Sequence, residues 1–556
     1  MPFLGRSNFV QKRVPVPWQG VALVVGTWGF SWWLQTAPMV PGRLAATERV
    51  DAVLLANDVR AVVGDGAPRV VGSPEAAAGR GRIAARLADQ GLAIDRQPVR
   101  VERRAGVVEL ENLVARIPGS ARSADRGEAH AARGAIGAIA VVAHSDSAPG
   151  APGASDDGAG VASVLAVARA LRDRPASHDV VLLITDGEER GLLGAQAFMA
   201  QHPWAGDLRA VVNLDARGAA GSATIFETGP ETAWCADIIA RHVSAPRAQS
   251  LAAEVYRRMP NGTDFTVFLG HGITGFNVAF IGDAAAYHTP LDTFERQSVA
   301  TREHMAQTAL ELVRGIDAEL PSDGAAVPAG RAAYGDVAGI VFVRWPEAWC
   351  VPMAVVSAAA LLAASAWRAG EGRRRAGLAV AAALAVLVAA SAVGWALGAI
   401  ASRAAVAAPA SGPRMVAFGA LAWIGALTAV LGVRAALHAR GVGPWPALLG
   451  AWAPWTAVAV ATALALPAAS PMLLIPVMVV AAGAVVGAVM RRGPTVAAWA
   501  GFAAALACWV PLEPLLLDAL GMTSGLAVGV RAGVVLLPLM AIALPGTVDA
   551  TARTAR

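Results

Sequence analysis

Ala138-Ile139-Ala140-Val141-Val142-Ala143-His144-Ser145-Asp146-Ser147 is an unbroken apolar run that stops on residues able to do chemistry. Six apolar residues with no polar alternation read as a strand covered on both faces. The segments 180–185, 210–214 and 275–280 have the same character. Helically spaced apolar segments precede and separate them, at 47–64, 72–90, 158–171, 192–201, 232–242 and 298–320. This alternation predicts an α/β domain with a mainly parallel central sheet and helices on both faces. Such sheets place their sites at the carboxyl ends of the strands, where the run above delivers His144.

Beyond this domain the composition is that of a membrane protein. Of 556 residues only 16% are charged, against about 25% in soluble proteins. From Trp349 to Gly546 the only acids are Glu371, Glu513 and Asp518. Apolar stretches at about 347–367, 377–400, 415–435, 445–467, 471–490, 495–512 and 525–545 predict a multi-span α-helical domain with about seven helices. Another apolar run, Trp18 to Leu34, follows Arg6, Lys12 and Arg13 and has Trp18, Trp32 and Trp33 near its ends. It reads as an anchor, because Gln35-Thr36-Ala37-Pro38 is a poor signal-peptide cleavage site. The expected division is a cytoplasmic 1–16, an anchor at 17–36, a water-soluble domain at 45–318 and a Gly/Ala/Pro/Asp-rich linker at 319–346. A membrane domain at 347–546 and a cytoplasmic tail at 547–556 complete it.

The basic residues are almost all Arg, and they cluster between apolar segments. With the amino terminus inside, Arg368 and Arg373 to Arg375, Arg434 and Arg440, Arg491 and Arg492, and Arg553 and Arg556 all fall on the inner side. The opposite loops are acidic, uncharged or thinly basic, as the positive-inside rule requires of an eight-span chain. This use of arginine, with a net charge of only +5, argues against a nucleic-acid partner and for the lipid bilayer as one. Arg531, near the start of the last segment, is expected to snorkel to the outer interface. Cys235, Cys350 and Cys508 lie far apart, so neither a disulfide framework nor a Cys-x-x-Cys site is indicated.

The soluble domain carries His, Asp, Glu, Asp and His in that order at strand ends and loop starts. His144 has Asp146 two residues on, the spacing of an imidazole oriented by a carboxylate. Asp156-Asp157-Gly158 opens an apolar helix after a Pro/Gly loop, where one Asp alone would be an N-cap. Glu188-Glu189 closely follows 180–185; adjacent acids there can serve a helix dipole, or one can ligate a metal while the other moves a proton. Asp215 ends 210–214. His288 precedes Thr289-Pro290-Leu291-Asp292, whose spacing is that of a capping box, which leaves Asp292 a structural role. Imidazoles, several carboxylates and one spare carboxylate are about what a pair of zinc ions needs for hydrolysis.

In order and context these motifs resemble the co-catalytic di-zinc metallopeptidases, the family of bacterial leucyl aminopeptidases, aminopeptidase Y and glutamate carboxypeptidase. The resemblance spans roughly residues 45–318. Asn261-Gly262-Thr263-Asp264-Phe265, Asn213-Leu214-Asp215-Ala216-Arg217-Gly218 and the flanking apolar segments resemble the membrane branch, that of the endoplasmic reticulum metallopeptidase and the vacuolar membrane protease. The resemblance implies two Zn²⁺ ions: His144 and Asp215 on one, Glu189 and His288 on the other, Asp156 bridging. It implies Glu188 as general base and acid toward a zinc-bridging water, Asp146 as the partner of His144, Asp157 at a sharp backbone bend, and Tyr287 beside the last ligand. Ser155 and Ala159 depart from the usual residues without removing a ligand. The implied activity is an exopeptidase, most simply an aminopeptidase whose substrate offers a free α-amine to the metals. A carboxypeptidase, a glutaminyl-cyclase-like enzyme on the same fold, or a non-catalytic peptide-binding scaffold or transporter are the alternatives. The Arg/Ala-rich composition suggests a bacterial inner membrane with the peptidase domain on the periplasmic side. Oligomeric state is not legible in the sequence.

Overall fold

The computed structural model describes residues 48–103, 106–120, 137–369, 373–405, 413–491, 493–510, 512 and 525–541. The expected anchor at 17–36, the 1–16 segment before it and the tail at 547–556 lie outside the described residues. A seven-stranded sheet organises the first half. Its strands are β1 (Ile94–Arg103), β2 (Gly106–Ile117), β3 (Ala138–His144), β4 (Asp179–Thr185), β5 (Leu208–Ala216), β6 (Thr224–Thr228) and β7 (Thr274–Phe280), in the order β1-β2-β4-β3-β5-β7-β6.

The four central strands, β4, β3, β5 and β7, are mutually parallel. These are the four continuous apolar runs, and every residue of β3 and β4 is buried. Alternate residues feed two separate cores. Ile139 and Val141 pack with Val161, Val164 and Leu165 of the helix Gly158–Asp173. Ala140 and Val142 pack with Phe198 of the helix Leu193–Gln201 and with Phe265 and Phe268 of the helix Asp264–Gly270. Helices on both faces are what allows both sets of side chains to be apolar.

Antiparallel strands extend this parallel core on both sides. β2 pairs with β4, β1 with β2, and β6 with β7. β1, Ile94-Asp95-Arg96-Gln97-Pro98-Val99-Arg100-Val101-Glu102-Arg103, is polar and carries Pro98, a residue tolerated on an edge strand because one face of the ladder needs no donor there. From β3 the chain moves to β4 on one side, then returns to place β5 on the other. The strand order therefore reverses between β3 and β5, and the crevice at their carboxyl ends is the topological switch point.

Residues 319–346, whose composition suggests a linker, contain the end of the helix Val299–Glu319 and a two-stranded hairpin, β8 (Ala332–Val337) and β9 (Val341–Pro346). Ala338 and Gly339, both at positive φ, turn it, as the primed hairpin turns require. The hairpin joins the two halves. The Ser250 hydroxyl meets the Tyr334 carbonyl at 2.8 Å and the Ala468 carbonyl at 2.5 Å, and Ala338 N–H donates to Ala507 O at 3.1 Å.

Five helices beyond the hairpin are long and apolar enough to cross a membrane: Glu347–Arg368, Arg375–Ala401, Phe418–Ala439, Pro444–Ala465 and Pro471–Val489. Two shorter apolar helices, Thr495–Trp509 and Val528–Met540, bring the described apolar helices to the expected number. The chain is thus a multi-pass membrane protein. Arg531 departs from the expected snorkelling: at 4% exposure it is buried where its helix packs against those of Arg373–Ala405 and Pro413–Ala439.

Candidate metal centre

The switch-point crevice gathers the motif residues from five segments. β3 ends on His144, and β5 carries Asp215 as its penultimate residue. Glu188 and Glu189 lie three and four residues past the end of β4, and His288 sits in the loop after β7, at positive φ. Asp156 and Asp157 stand just before the helix Gly158–Asp173, joined by a cis peptide bond.

Asp156 is the centre of the arrangement. Its Oδ1 is 3.1 Å from His144 Nε2, and its Oδ2 is 3.2 Å from His288 Nε2. On the far side of His144, Asp215 Oδ1 lies 3.9 Å from Nε2, and on the far side of His288, Glu189 Oε1 lies 3.0 Å from Nε2. The result is two clusters, His144–Asp156–Asp215 and Asp156–Glu189–His288, each with its ligand-type atoms within 4.8 Å of one another. The two clusters share one carboxylate.

These donors fit zinc. Nitrogen and oxygen ligands sit about 2.0–2.2 Å from Zn²⁺, which puts tetrahedral neighbours roughly 3.3 Å apart, close to most of the separations seen. Glu189 Oε1 is buried with His288 Nε2 3.0 Å away as its contact, the spacing that two ligands of one cation take. Charge points the same way. Burial opposes protonation of His144 and His288, but the surrounding carboxylates outweigh it: Asp146, Asp156 and Asp215 for His144, Asp156 and Glu189 for His288. His144 is driven well above the usual imidazole range and His288 up to about 10. Burial raises Glu189 and Asp215. Three carboxylates crowded in this crevice demand positive charge, and divalent ions supply it while leaving the imidazoles neutral as ligands.

The paired acids divide their work. Asp157 is the N-cap: its Oδ1 accepts from Gly160 N–H at 2.9 Å, while its Oδ2 accepts from His144 N–H at 3.1 Å. The capping reading of Asp156-Asp157 thus applies to the second acid and frees the first. Asp146 also has two tasks. Its carboxylate lies 3.5 Å from His144 Nδ1, whose nearer partner is the Asp146 backbone oxygen at 3.1 Å. The same carboxylate accepts from Glu188 N–H at 3.1 Å and Glu189 N–H at 3.3 Å, which fixes the acid loop against β3. Glu188 is held on this loop beside the clusters, and burial raises its carboxyl well above the ordinary range despite the opposing pull of His144. Tyr287 stacks on His288 with ring centroids 3.7 Å apart.

Asp292 departs from its expected capping-box role, for no helix starts at Thr289. Its carboxylate reaches instead across to the Asp156 loop and accepts from Ser155 N–H at 2.8 Å and Asp156 N–H at 3.0 Å. Gln297 Nε2 donates to Ala154 O at 2.8 Å. Arg69, fully buried, donates to the carbonyls of Ser145, Pro152 and Gly153 at 2.9, 2.6 and 3.0 Å. Three side chains from two distant segments therefore grip the one loop that carries the shared carboxylate. Arg69 and Gln297 sit in no motif, and no local sequence signal marks them.

Residues 113–313 match the profile described as Peptidase family M28. Over 199 residues the chain is 32% identical to Endoplasmic reticulum metallopeptidase 1 of Rattus norvegicus, a match covering 35% of this chain and 22% of that protein. It is 33% identical over 201 residues to the Vacuolar membrane protease of Yarrowia lipolytica, covering 34% of this chain and 19% of that one. The matched stretch thus spans about a fifth of the length of these curated relatives. An aminopeptidase from Aneurinibacillus sp. strain AM-1 superposes with a TM-score of 0.41 at 16% identity, covering 51% of this chain and 97% of that one. The resemblance to zinc metallopeptidases of the membrane branch thus has its counterpart in the family profile and in sequence matches to an endoplasmic reticulum metallopeptidase and a vacuolar membrane protease.

Proposed function

We propose that the chain is a membrane-anchored di-zinc exopeptidase, in the first place an aminopeptidase, acting outside the cytoplasm. The observation that carries this reading is Asp156, with one oxygen toward each of two histidine–carboxylate clusters and the acid pair Glu188-Glu189 alongside. His144 and Asp215 would hold one ion, Glu189 and His288 the other, with Asp156 shared. When bound, the pair supplies Lewis acidity, polarising a carbonyl and acidifying water.

The protein's own residues do the rest. Glu188, placed on a loop clamped by Asp146, accepts a proton as the water oxygen bonds to the scissile carbonyl carbon. It returns that proton to the departing nitrogen as the carbon–nitrogen bond breaks, so one carboxylate serves both steps. Asp146 also orients His144, and Asp292 sets the height of Asp156 by holding its amide. The hairpin β8–β9 seats the domain on the membrane bundle, which fits a substrate met at the membrane surface.

The test is the purified full-length chain with a peptide panel. Its metal content should be near two zinc per chain, and peptides should shorten one residue at a time from the amino end. A chelator should stop this and zinc should restore it. Shortening from the carboxyl end would make it a carboxypeptidase, and turnover that survives complete metal removal would sink the reading.

A further inference from the structure

The centre is most open at His288. His288 is 37% exposed at its side chain, whereas His144 is 3% exposed. A substrate would arrive past His288. Tyr287 lies stacked against that imidazole, and the Arg217 guanidinium stands over the Tyr287 ring, 5.6 Å from its centroid. Arg217 comes two residues after Asp215, and its backbone N–H continues the β5–β7 pairing through Phe280 O at 2.8 Å. Residues two apart on extended chain project to the same side, so Asp215 and Arg217 form one row running from the metal cluster to its mouth.

Three other arginines near the centre are engaged. Arg69 holds loop carbonyls, Arg80 pairs with Asp186 at 2.7 Å, and Arg296 forms two bonds to Asp283 at 2.7 and 2.8 Å. Among the described residues, the Arg217 side chain has the Tyr287 ring as its contact and neither an acid nor a carbonyl as partner. A guanidinium held over an aromatic ring by its charge, with no acid to pair with, keeps its N–H edge available to grip a carboxylate with two bonds. An extended peptide advances about 3.3–3.6 Å per residue. The residue one or two positions past a bond cut at the metals would therefore pass the guanidinium.

We propose that Arg217 is a carboxylate-binding subsite, and that the preferred substrates are peptides carrying an anionic group one or two residues beyond the scissile bond. The inference rests on the hydrolytic reading of the metal centre. The carboxylate has two possible sources: the terminal α-carboxylate of a very short peptide, or an Asp or Glu side chain in a longer one.

The experiment uses the zinc-loaded full-length chain and three substrates: Leu-Leu acid, Leu-Leu amide and Leu-Asp amide. Charge-assisted bonds of this kind are worth roughly 10- to 100-fold, so kcat/KM for the acid should exceed that for Leu-Leu amide by that factor, mainly through KM. In Arg217→Gln the ratio should collapse toward one, and Arg217→Lys should retain part of it. If Leu-Asp amide matches the acid, the subsite also takes side chains; if it matches Leu-Leu amide, the subsite reads the chain terminus. A structural role for Arg217, merely bracing Tyr287, would slow acid and amide alike in Arg217→Gln and overturn the proposal. So would equal turnover of acid and amide by the unaltered chain. Turnover of none of the three would overturn the hydrolytic reading, and this inference with it.

Discussion

The two halves of this chain bury opposite things. The first half places Asp146, Asp156, Asp157, Asp186, Asp264 and Asp292 almost wholly out of solvent, together with His144 and Arg69. The second half, among its described residues, buries Ser357, Ser365, Thr456, Ser470 and Arg531 as its polar complement. It relies on small residues instead. A Cβ at Gly450 would fall 2.4 Å from Ala379 Cβ, and one at Gly501 would fall 2.5 Å from the Trp452 ring. Close backbone approach is how apolar helices bind one another where water offers no driving force. The lesson is that buried charge is costly and kept where it is matched, so the half that spends stability on buried acids is the half to which the proposed chemistry is assigned.

If that contrast is right, the halves also sit in different solvents. An all-or-none test separates them. A reporter active only outside the cytoplasm, fused after Asp317, should be active, and the same reporter fused after Arg375 should be silent. The basis is that every strongly basic loop falls on one side when eight spans are counted from an inside amino terminus. Reversed activities would place the acid-rich half in the cytoplasm and break the comparison at its root.

Within the first half, ligand and proton carrier should come apart. Glu188→Gln should lose on the order of 10²–10⁴-fold in turnover while keeping its zinc, since general acid–base catalysis contributes about that much. Asp156→Ala should lose metal and activity together, because both clusters share that carboxylate. Elemental analysis of the two variants decides it. Full zinc in Asp156→Ala, or near-normal turnover in Glu188→Gln, would show that the assignments are misplaced. The second half should be indifferent to both changes, with its helices unaltered by circular dichroism.

A smaller effect is expected from the grip on the Asp156 loop. Asp292→Ala removes an acceptor shared by the Ser155 and Asp156 amides. Substituting a residue that supports a ligand without touching the metal typically costs about 10–100-fold in metal affinity or activity. Zinc titration should show weakened binding, with rescue toward normal turnover at high zinc. Unchanged affinity would mean that the loop is held by Arg69 and Gln297 alone.

What could be read from the sequence, and what could not, follows the same physical division. β3, β4, β5 and β7 were legible because burial on both faces leaves a continuous apolar run. β1 and β2 were not, since the polar edge strand Ile94–Arg103 shows little apolar pattern. The hairpin β8–β9 hid in a Gly/Ala-rich stretch whose partners are residues far away, such as Ser250 and Ala507. At the site, the motif residues announced themselves by their position at strand ends. Asp292 was visible, but its local spacing suggested a cap, while its true partners lie 136 and 137 residues back. Arg69 works entirely through such distant contacts, and no local pattern encodes those.

The smallest expected effect concerns pH. His304, on the long helix Val299–Glu319, is half-buried, with the Arg247 charge nearby and two backbone groups as its hydrogen-bond partners. Its Nδ1 accepts from Ala223 N–H at 3.0 Å, and its Nε2 lies 3.2 Å from Ala245 O. This pair of bonds selects the neutral Nε2–H tautomer. Protonating Nδ1 would set a proton against the Ala223 amide. Burial, aided by the Arg247 charge, lowers His304 from 6.5 to about 4. The folded form therefore binds fewer protons than the unfolded one between those values. Stability from this residue is fully present above about pH 6.5 and is lost as pH falls toward about 4, amounting to about 1–2 kcal/mol by pH 5. Hydrogen exchange of chelator-treated protein should show protection in Val299–Glu319 falling over that window. Chelation removes the metal-linked part of the pH response from the comparison. His304→Gln, which keeps one acceptor and one donor without titrating there, should flatten the slope. The helices Pro444–Ala465 and Pro471–Val489, which contain no titratable residue, should show no such slope in either protein. An identical pH slope in the variant and its parent would remove His304 from the account, and an equal slope in the apolar helices would erase the contrast between the halves.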